Sequence, residues 1–357
     1  ILFEINSCEE KSSKKKSNRM KKLIKLRLDN KNLKTNKQLS QKEFQKFKKK
    51  FRKHYKANQE LYKLNVFENN LKEIEKLKIK AKKNRNSATF GITKYSDMSK
   101  EEFKNTHLGL NLGDMKINKR DSKEFLSNNN IAPKSLISTK LDVEENYDLR
   151  KLNVLFDPIS QGDCACCWAH SSIAVVEAQY ALKYGVKKRL SIQELVDCVS
   201  KCFGCEGGNP YHALEFGKMY GFSLESTNPY KKVQGTCKFD FFNEKIKLKD
   251  FWYYENIKEN TMQYILKELG VYSIAINADQ LQNYMNGILD LDATECDPAG
   301  INHAVTMVGY GINEFGEKYW ILKNSWGTDW GENGYFRVAF GKNVCGLQKY
   351  LFCSIIA

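Results

Sequence analysis

Phe44, Phe47, Phe51 and Tyr55 recur at steps of three and four residues, and Leu61, Leu64, Phe67, Leu71, Ile74 and Leu77 repeat that spacing. A period near 3.6 gathers apolar residues on one helix face. The pattern predicts two amphipathic helices with lysine-rich outer faces. Residues 1–40, rich in Lys, Asn and Ser with weak apolar pattern, read as a mobile or disordered basic segment. "FGITKYSDMSKEEF" (residues 90–103) predicts a turn or short strand feeding a helix, with Ser99 as N-cap and Glu102 completing a capping box. "NLGDMKINKRDSKEFLSNNNIAPKS" has no sustained period and reads as an exposed linker.

The texture changes after Leu141. "CWAHSSIAVVEAQYALKYG" predicts a long, mostly apolar helix with Gly185 as its C-cap. Ser191 and Glu194 suggest a second capping box on a shorter helix. From about Lys247 onward, β-type runs such as "VYSIAINA", "HAVTMVGYG", "KYWILKNSW" and "GYFRVAF" dominate, mostly separated by Gly-rich turns. A helical half followed by a β half predicts an α+β fold of two packed lobes. Clefts between lobes are favoured ligand sites.

Charge divides the chain at the same place. Residues 1–140 carry 37 Lys and Arg against 15 Asp and Glu, and the remainder 21 against 27, so the overall +16 averages two parts of opposite sign. The basic stretch "KSSKKKSNRMKKLIKLRL" fits a solvated tail, a nucleic-acid or anionic-lipid contact, or a segment that docks on the acidic part. No apolar run reaches the roughly 18 residues of a membrane span. "ILFEINS" is compatible with the stub of a removed signal peptide, but seven residues do not decide it. Ten of the eleven cysteines lie between Cys164 and Cys353, which suggests an oxidising compartment or a metal protein.

"QGDCACCWAHS" concentrates the chemistry. Zinc sites favour paired cysteine knuckles, and only Cys198, Cys202 and Cys205 have that spacing, so the metal reading is weak. Cys167 instead opens a helix, where the backbone N–H groups favour a thiolate. A thiolate nucleophile needs an imidazole and a group to orient it. Of five histidines, His54 and His107 lie in the basic part and His212 in an apolar-rich stretch. His170 follows Cys167 by three residues. His303 opens a β run on the other lobe, ahead of "KNSWG", in which Asn324 can hold an imidazole and Trp326 can shield that bond from water.

These motifs, with "LSIQELVDC", "GCEGG", "NPYKKVQGTC" and "NVCGL", resemble the papain family of cysteine proteases, in its cathepsin L-like branch, over roughly residues 41–357. His303 lies 136 residues and Asn324 157 residues beyond Cys167, the latter slightly past the family's usual range of about 130–150. The resemblance implies a papain-like fold: a helical lobe and a β-barrel-like lobe with the active-site cleft between them, preceded by a helical propeptide domain. It divides the chain into a basic segment (1–40), an inhibitory propeptide (41–130), a processing linker (131–141) and a peptidase domain (142–357). It implies Cys167 as nucleophile, His303 as base and acid, Asn324 as its orienter and Gln161 as the oxyanion-hole side chain. Trp326 covers the His–Asn pair, Trp330 stands on the leaving-group side, and Gly207 and Gly208 bind extended substrate backbone. Asn209, Pro210, Ala275, Ile301, Ala304 and Tyr350 map onto the pocket for the residue before the scissile one, and imply an apolar preference there.

The resemblance further implies the disulfides Cys164–Cys205, Cys198–Cys237 and Cys296–Cys345, leaving Cys8, Cys166, Cys202 and Cys353 unassigned. It calls for no metal or cofactor. Its partners are polypeptide substrates, the chain's own propeptide and cystatin-type inhibitors, with no nucleic acid, no membrane span and a monomeric state. The expected setting is secretion or an acidic lysosome- or vacuole-like compartment. In the propeptide, Gln59, Lys63, Phe67, Asn70, Ile74 and Lys78 occupy the family's helix motif, and Gly91 and Asp97 its downstream element. Family propeptides cross the cleft in the sense opposite to substrate.

Three residues depart from the family: Ala165 and Cys166 stand where Gly-Ser is usual, and His170 where Phe is usual. Cys166 is expected to fill a small buried space and His170 the core position of the missing ring. No long insert follows "GCEGG", which favours an endopeptidase. A catalytically weakened relative acting as a binding protein is the competing reading.

Overall fold

The computed structural model describes residues 38–84, 87–113, 115, 119–120, 145–239 and 244–357. The linker 131–141 and Cys8 lie outside them. The described residues form two compact units, one through Asn69 and one from Asn70 onward.

In the first unit, residues 38–51 are helical (α1), so the helix already covers the last residues assigned to the basic segment. The start of α2 (Ala57–Lys83) follows. The aromatic repeat makes their core: Phe44 and Phe47 lie 5.3 and 5.0 Å from Phe67, and Tyr55 stacks on Phe44 at 5.8 Å.

The second unit begins within α2. Asn70 donates to the carbonyls of Ser96 and Met98 at 2.9 and 2.8 Å, tying the helix to the turn after β1 (Thr89–Phe90). The next helix, α3 (Lys100–His107), carries the expected capping box: Glu102 N–H donates to Ser99 Oγ, and Ser99 N–H to Glu102 Oε2.

After β2 (Tyr147–Asp148) comes the helical lobe: α4 (Cys167–Tyr184), α5 (Ile192–Cys198) and α6 (Pro210–Met219). Helix α4 is buried along nearly its whole length and ends on Gly185 in the left-handed region (φ 71°), as its sequence predicts. The second capping box is only half formed. Ser191 caps Glu194 N–H, but the Glu194 carboxylate turns to Ser223 N and Oγ and to Lys245, 2.6 Å away. The Lys245 ammonium, carried on a largely buried side chain, and the N–H and hydroxyl of Ser223 together outcompete the local box. Trp168, Ile173, Val176, Leu195 and Leu214 pack this lobe.

The β part contains β3 (Phe222–Ser223), β4 (Lys245–Ile246), β5 (Leu248–Glu255), α7 (Glu259–Leu269), β6 (Tyr272–Ile276), β7 (Tyr284–Asn286), β8 (Ile288–Leu289), β9 (His303–Ile312), β10 (Lys318–Lys323), β11 (Tyr335–Ala339) and β12 (Tyr350–Ile356). Its main sheet runs β5-β12-β6-β9-β10-β11-β8, with β2 added to β9. It is open: among the described residues the path from β5 to β8 does not close, so the expected barrel-like lobe is a sheet with two edges. Strand β9, buried over nine of its ten residues, is flanked by β6 and β10 and backed by α4. This places the start of β9 opposite the start of α4.

All three disulfides are present: Cys164–Cys205, Cys198–Cys237 and Cys296–Cys345. Two members of the zinc-like trio are thereby consumed.

Candidate active site

Cys167 is the first residue of α4. The loop before it is pinned by the Cys164–Cys205 disulfide and by Ala165 N–H donating to Cys205 O at 2.9 Å. His303 opens β9, and its Nε2 lies 2.8 Å from Asn324 Oδ1. That oxygen also accepts Ser325 N–H at 2.8 Å, which fixes the amide with its oxygen toward the imidazole. The His303 Nε2 must therefore carry the proton, leaving Nδ1 as an acceptor; it is buried with no hydrogen-bond partner among the described residues. Trp326 stacks on the His303 ring at 4.9 Å, and Trp330 meets Trp326 edge-on at 4.7 Å. The site draws together four segments far apart in sequence.

Gln161 is fully buried. Ser325 Oγ donates to its Oε1 at 2.6 Å, so its amide nitrogen faces the other way and donates to Cys164 O (2.8 Å) and His107 O (3.4 Å). Its backbone carbonyl accepts from Tyr230 O–H at 2.8 Å. The same hydroxyl touches Cys166 Sγ at 2.9 Å, so the Cys166 thiol faces Tyr230. Tyr230 and Ser325 were not singled out from sequence, although both lie inside the quoted motifs "NPYKKVQGTC" and "KNSWG".

Residues 109–111 run beside Gly208 and Asn302. Gly208 N–H donates to Gly109 O (2.9 Å), Asn111 N–H to Gly208 O (2.9 Å) and Leu110 N–H to Asn302 O (3.1 Å). Leu110 and Gly208 form a parallel bridge. Asn209 caps α6 with its Oδ1 and gives its Nδ2 to Leu112 O at 2.5 Å. Pro210 is the first residue of α6. Ala275 and Ala304 are register partners on β6 and β9, and Tyr350 opens β12. Ile301 lies against Gly346, whose added Cβ would come within 2.8 Å of it. Gly207 has φ 127°, and a Cβ there would meet Gly109 O at 2.8 Å; both facts require glycine.

Burial sets the charge state of this closed site. It pushes the Cys167 thiol up to about 11, against hydrogen bonds from the backbone at Ala304, Gly109 and Trp168, and it lowers His303 to about 4 despite Asn324. The expected thiolate at the helix start is overridden while residues 109–111 are in place, because loss of water outweighs the helix terminus. Burial thus favours the neutral form of both thiol and imidazole.

His170 is buried with its ring edge-on to Tyr230 at 5.0 Å, and its Nε2 has no partner among the described residues. Burial first, then Lys323, Arg189 and His303, depress it to about 3. A histidine held neutral in the fold but titrating near 6.5 when unfolded binds fewer protons folded. Stability therefore falls as pH drops from about 6.5 to 3, by up to about 1.4 kcal/mol per pH unit. His170→Phe is expected to remove that slope. Urea unfolding in a Cys167→Ala background should show a variant roughly 2 kcal/mol better off, relative to wild type, at pH 5 than at pH 7. Parallel curves for the two proteins would show that His170 does not titrate in this way.

Residues 143–355 match the papain family cysteine protease domain, and residues 44–103 the cathepsin propeptide inhibitor domain. The chain belongs to the papain family of cysteine proteases. It is 35% identical over 311 residues to the viral cathepsin of Choristoneura fumiferana defective polyhedrosis virus, covering 86% of this chain and 90% of that one. Among solved structures it resembles digestive procathepsin L2 from Tenebrio molitor larval midgut, with a TM-score of 0.79 at 28% identity over 88% of this chain and 99% of that one. It also resembles recombinant stem bromelain precursor, with a TM-score of 0.73 at 30% identity over 88% and 98%. The chain is thus a papain-family protease in zymogen form, cathepsin L-like, with its inhibitory propeptide. Disulfide-bearing folds of this kind are typical of secreted or lysosomal proteases.

Proposed function

We propose that this zymogen yields a cysteine endopeptidase in which His303 Nδ1 takes the Cys167 proton and the thiolate attacks the scissile carbonyl carbon. The tetrahedral oxyanion is held by Gln161 Nε2–H and Cys167 N–H, donors of a kind worth about 10²–10³ in rate. On collapse, His303 returns the proton to the departing amine, leaving an acyl-enzyme that water hydrolyses by the same route in reverse. Asn324 and Trp326 keep the imidazole aligned and dry. The observation that carries this reading is the oriented series Ser325–Gln161 and Ser325–Asn324–His303 around one helix-start cysteine. That complete set disfavours a merely binding role.

Asn209, Pro210, Ala275, Ile301, Ala304 and Tyr350 supply an apolar pocket, with Leu or Val as the favoured residue before the scissile one. Activation follows acidification in a secreted or lysosome/vacuole-like setting. Lys80–Glu295, Lys94–Asp329 and Arg120–Asp250 pair propeptide cations with peptidase carboxylates at 2.8, 2.5 and 2.6 Å, and these are contacts that activation has to release. Processing between Asn128 and Val143 then gives a monomeric enzyme open to cystatin-type inhibitors.

The deciding experiment is labelling with a peptidyl epoxide, before and after acid treatment, followed by mapping of the modified peptide. Label confined to the acid-treated protein and to Cys167 is the expected result. A folded, processed chain that takes no label, or takes it on Cys166, would overturn the assignment.

A further inference from the structure

Beyond the cleft, the propeptide makes a second backbone contact with the peptidase. Strand β5 is an end strand of the main sheet, with β12 on its inner side. Such an edge offers backbone donors and acceptors to another chain. Lys119 forms a parallel bridge with Tyr253, and Arg120 N–H donates to Tyr253 O at 3.1 Å. Both side chains find carboxylates at the two ends of the same strand. Lys119 pairs with Glu255; Arg120 Nη2 lies 2.6 Å from Asp250, with its guanidinium 4.2 Å over the Trp252 ring. Nearer the cleft, Tyr253 O–H donates to Met115 O at 3.1 Å.

Single exposed ion pairs contribute little. Here, however, backbone pairing, an aromatic platform and two carboxylates converge on one Lys-Arg dipeptide, the combination by which a sheet edge reads an added strand. We propose that the β5 edge is a docking site of the processed enzyme for extended, basic stretches of polypeptide substrate, and that Lys119 and Arg120 occupy it in the zymogen. This rests on the endopeptidase reading above. The propeptide reaches the edge in ten residues from Gly109, passing Leu110 at Gly208, Leu112 at Asn209 and Met115 at Tyr253. A substrate running in the opposite sense covers the same ground with residues N-terminal to its scissile bond, and pairs with β5 antiparallel. The ligand is therefore a strand with adjacent basic residues about ten positions before the cleaved bond. Lys218, 2.9 Å from Asp250, and the exposed Lys249 are the opposing charges on this edge, so Glu255 and the Trp252 face supply the rest of the attraction.

The test uses the full chain with Cys167→Ala, so that nothing is cleaved. Lys119→Ser with Arg120→Ser removes both ion pairs and the guanidinium–Trp252 contact, leaving only backbone pairing to compete for the edge. A fluorescein-labelled extended peptide containing Lys-Arg should bind that variant roughly tenfold more tightly than the chain with Lys119 and Arg120 intact, by anisotropy. The gain should disappear on adding Asp250→Asn and Glu255→Gln, and a Ser-Ser peptide should show none. In the processed enzyme, a substrate with Lys-Arg ten residues before the scissile bond should exceed its Ser-Ser counterpart about tenfold in kcat/KM. Asp250→Asn/Glu255→Gln should erase that difference while leaving a short peptide substrate unaffected. Equal binding of the two peptides to the Lys119→Ser/Arg120→Ser variant, or a Lys-Arg advantage that survives the Asp250→Asn/Glu255→Gln substitution, would overturn the docking site. Failure to cleave the short substrate would instead strike the endopeptidase reading, with the anisotropy result still deciding the edge.

Discussion

Cys167→Ala is expected to reduce peptide hydrolysis by the processed enzyme to background, whereas Cys166→Ser keeps activity within about threefold of wild type. The two thiols are neighbours in sequence, but their surroundings differ. Cys166 precedes the helix, is pushed up to about 12 by burial, and touches the Tyr230 hydroxyl at 2.9 Å. A serine hydroxyl can make the same contact, so Tyr230 keeps its bond to the Gln161 carbonyl. Cys167 alone receives backbone hydrogen bonds from Ala304, the residue after His303, and from Gly109 of the segment beside Gly208 and Asn302. Removal of its sulfur leaves His303 and Gln161 with no nucleophile to serve. Steady-state hydrolysis of a short fluorogenic peptide, with circular dichroism to confirm folding, separates the two positions. Comparable losses in both variants would show that the thiols act as a unit.

Much of this was legible from local pattern. The Ser99 capping box, the Gly185 terminus and most of the apolar faces of α1 and α2 depend on residues within one or two helical turns of each other, so spacing specifies them; the exceptions are Tyr55, which lies past the end of α1 because Arg52 turns left-handed, and Leu61, which is exposed. Phe67, Asn70 and Ile74, the motif positions that kept their family identity, are the buried ones. The grouping of Gln161, His303 and Asn324 around the start of α4 was expected for a different reason: these residues and Cys167 sit in motifs whose order is that of a known family. What sequence could not supply is whatever depends on competition between distant groups. Glu194 leaves its own helix end because Ser223 and Lys245 happen to face it. Burial favours the neutral Cys167 over a thiolate because residues 109–111 have displaced water from its surroundings. The sheet stays open because its end strands, β5 and β8, find no partner in each other, a property of the whole topology rather than of any run of residues. Lys119 and Arg120 fall in a stretch that reads as linker by composition; the Asp250, Trp252 and Glu255 that receive them lie 130 or more residues away.

Gly109→Ala is expected to make the unprocessed full chain react with a peptidyl epoxide at neutral pH. Gly109 lies where the propeptide strand passes closest to the loop before Cys167. A Cβ built on it falls 1.7 Å from Ala165 O, 2.5 Å from Ala165 C and 2.7 Å from Ala165 Cβ. Most of that obstacle is backbone, held by the Cys164–Cys205 disulfide and the Ala165–Cys205 hydrogen bond, so it cannot swing aside as a side-chain tip would. The strand must lift instead. Lifting loosens its bonds to Gly208 and Asn302, each worth about 0.5–1.5 kcal/mol net. With three such bonds the closed state loses roughly 2–4 kcal/mol, which raises the open population by a factor of about 30 to 1,000. Water then regains Cys167 and His303, the burial that holds the thiol near 11 and the imidazole near 4 is relieved, and the reactive ion pair forms. Adding Ala165→Gly removes only the methyl contact and leaves the carbonyl in place, so the double variant should remain labelled at neutral pH. A Gly109→Ala chain as inert as wild type would mean that contacts elsewhere keep the cleft closed; full rescue of inhibition by Ala165→Gly would mean that the methyl, not the carbonyl, dictates glycine at this position.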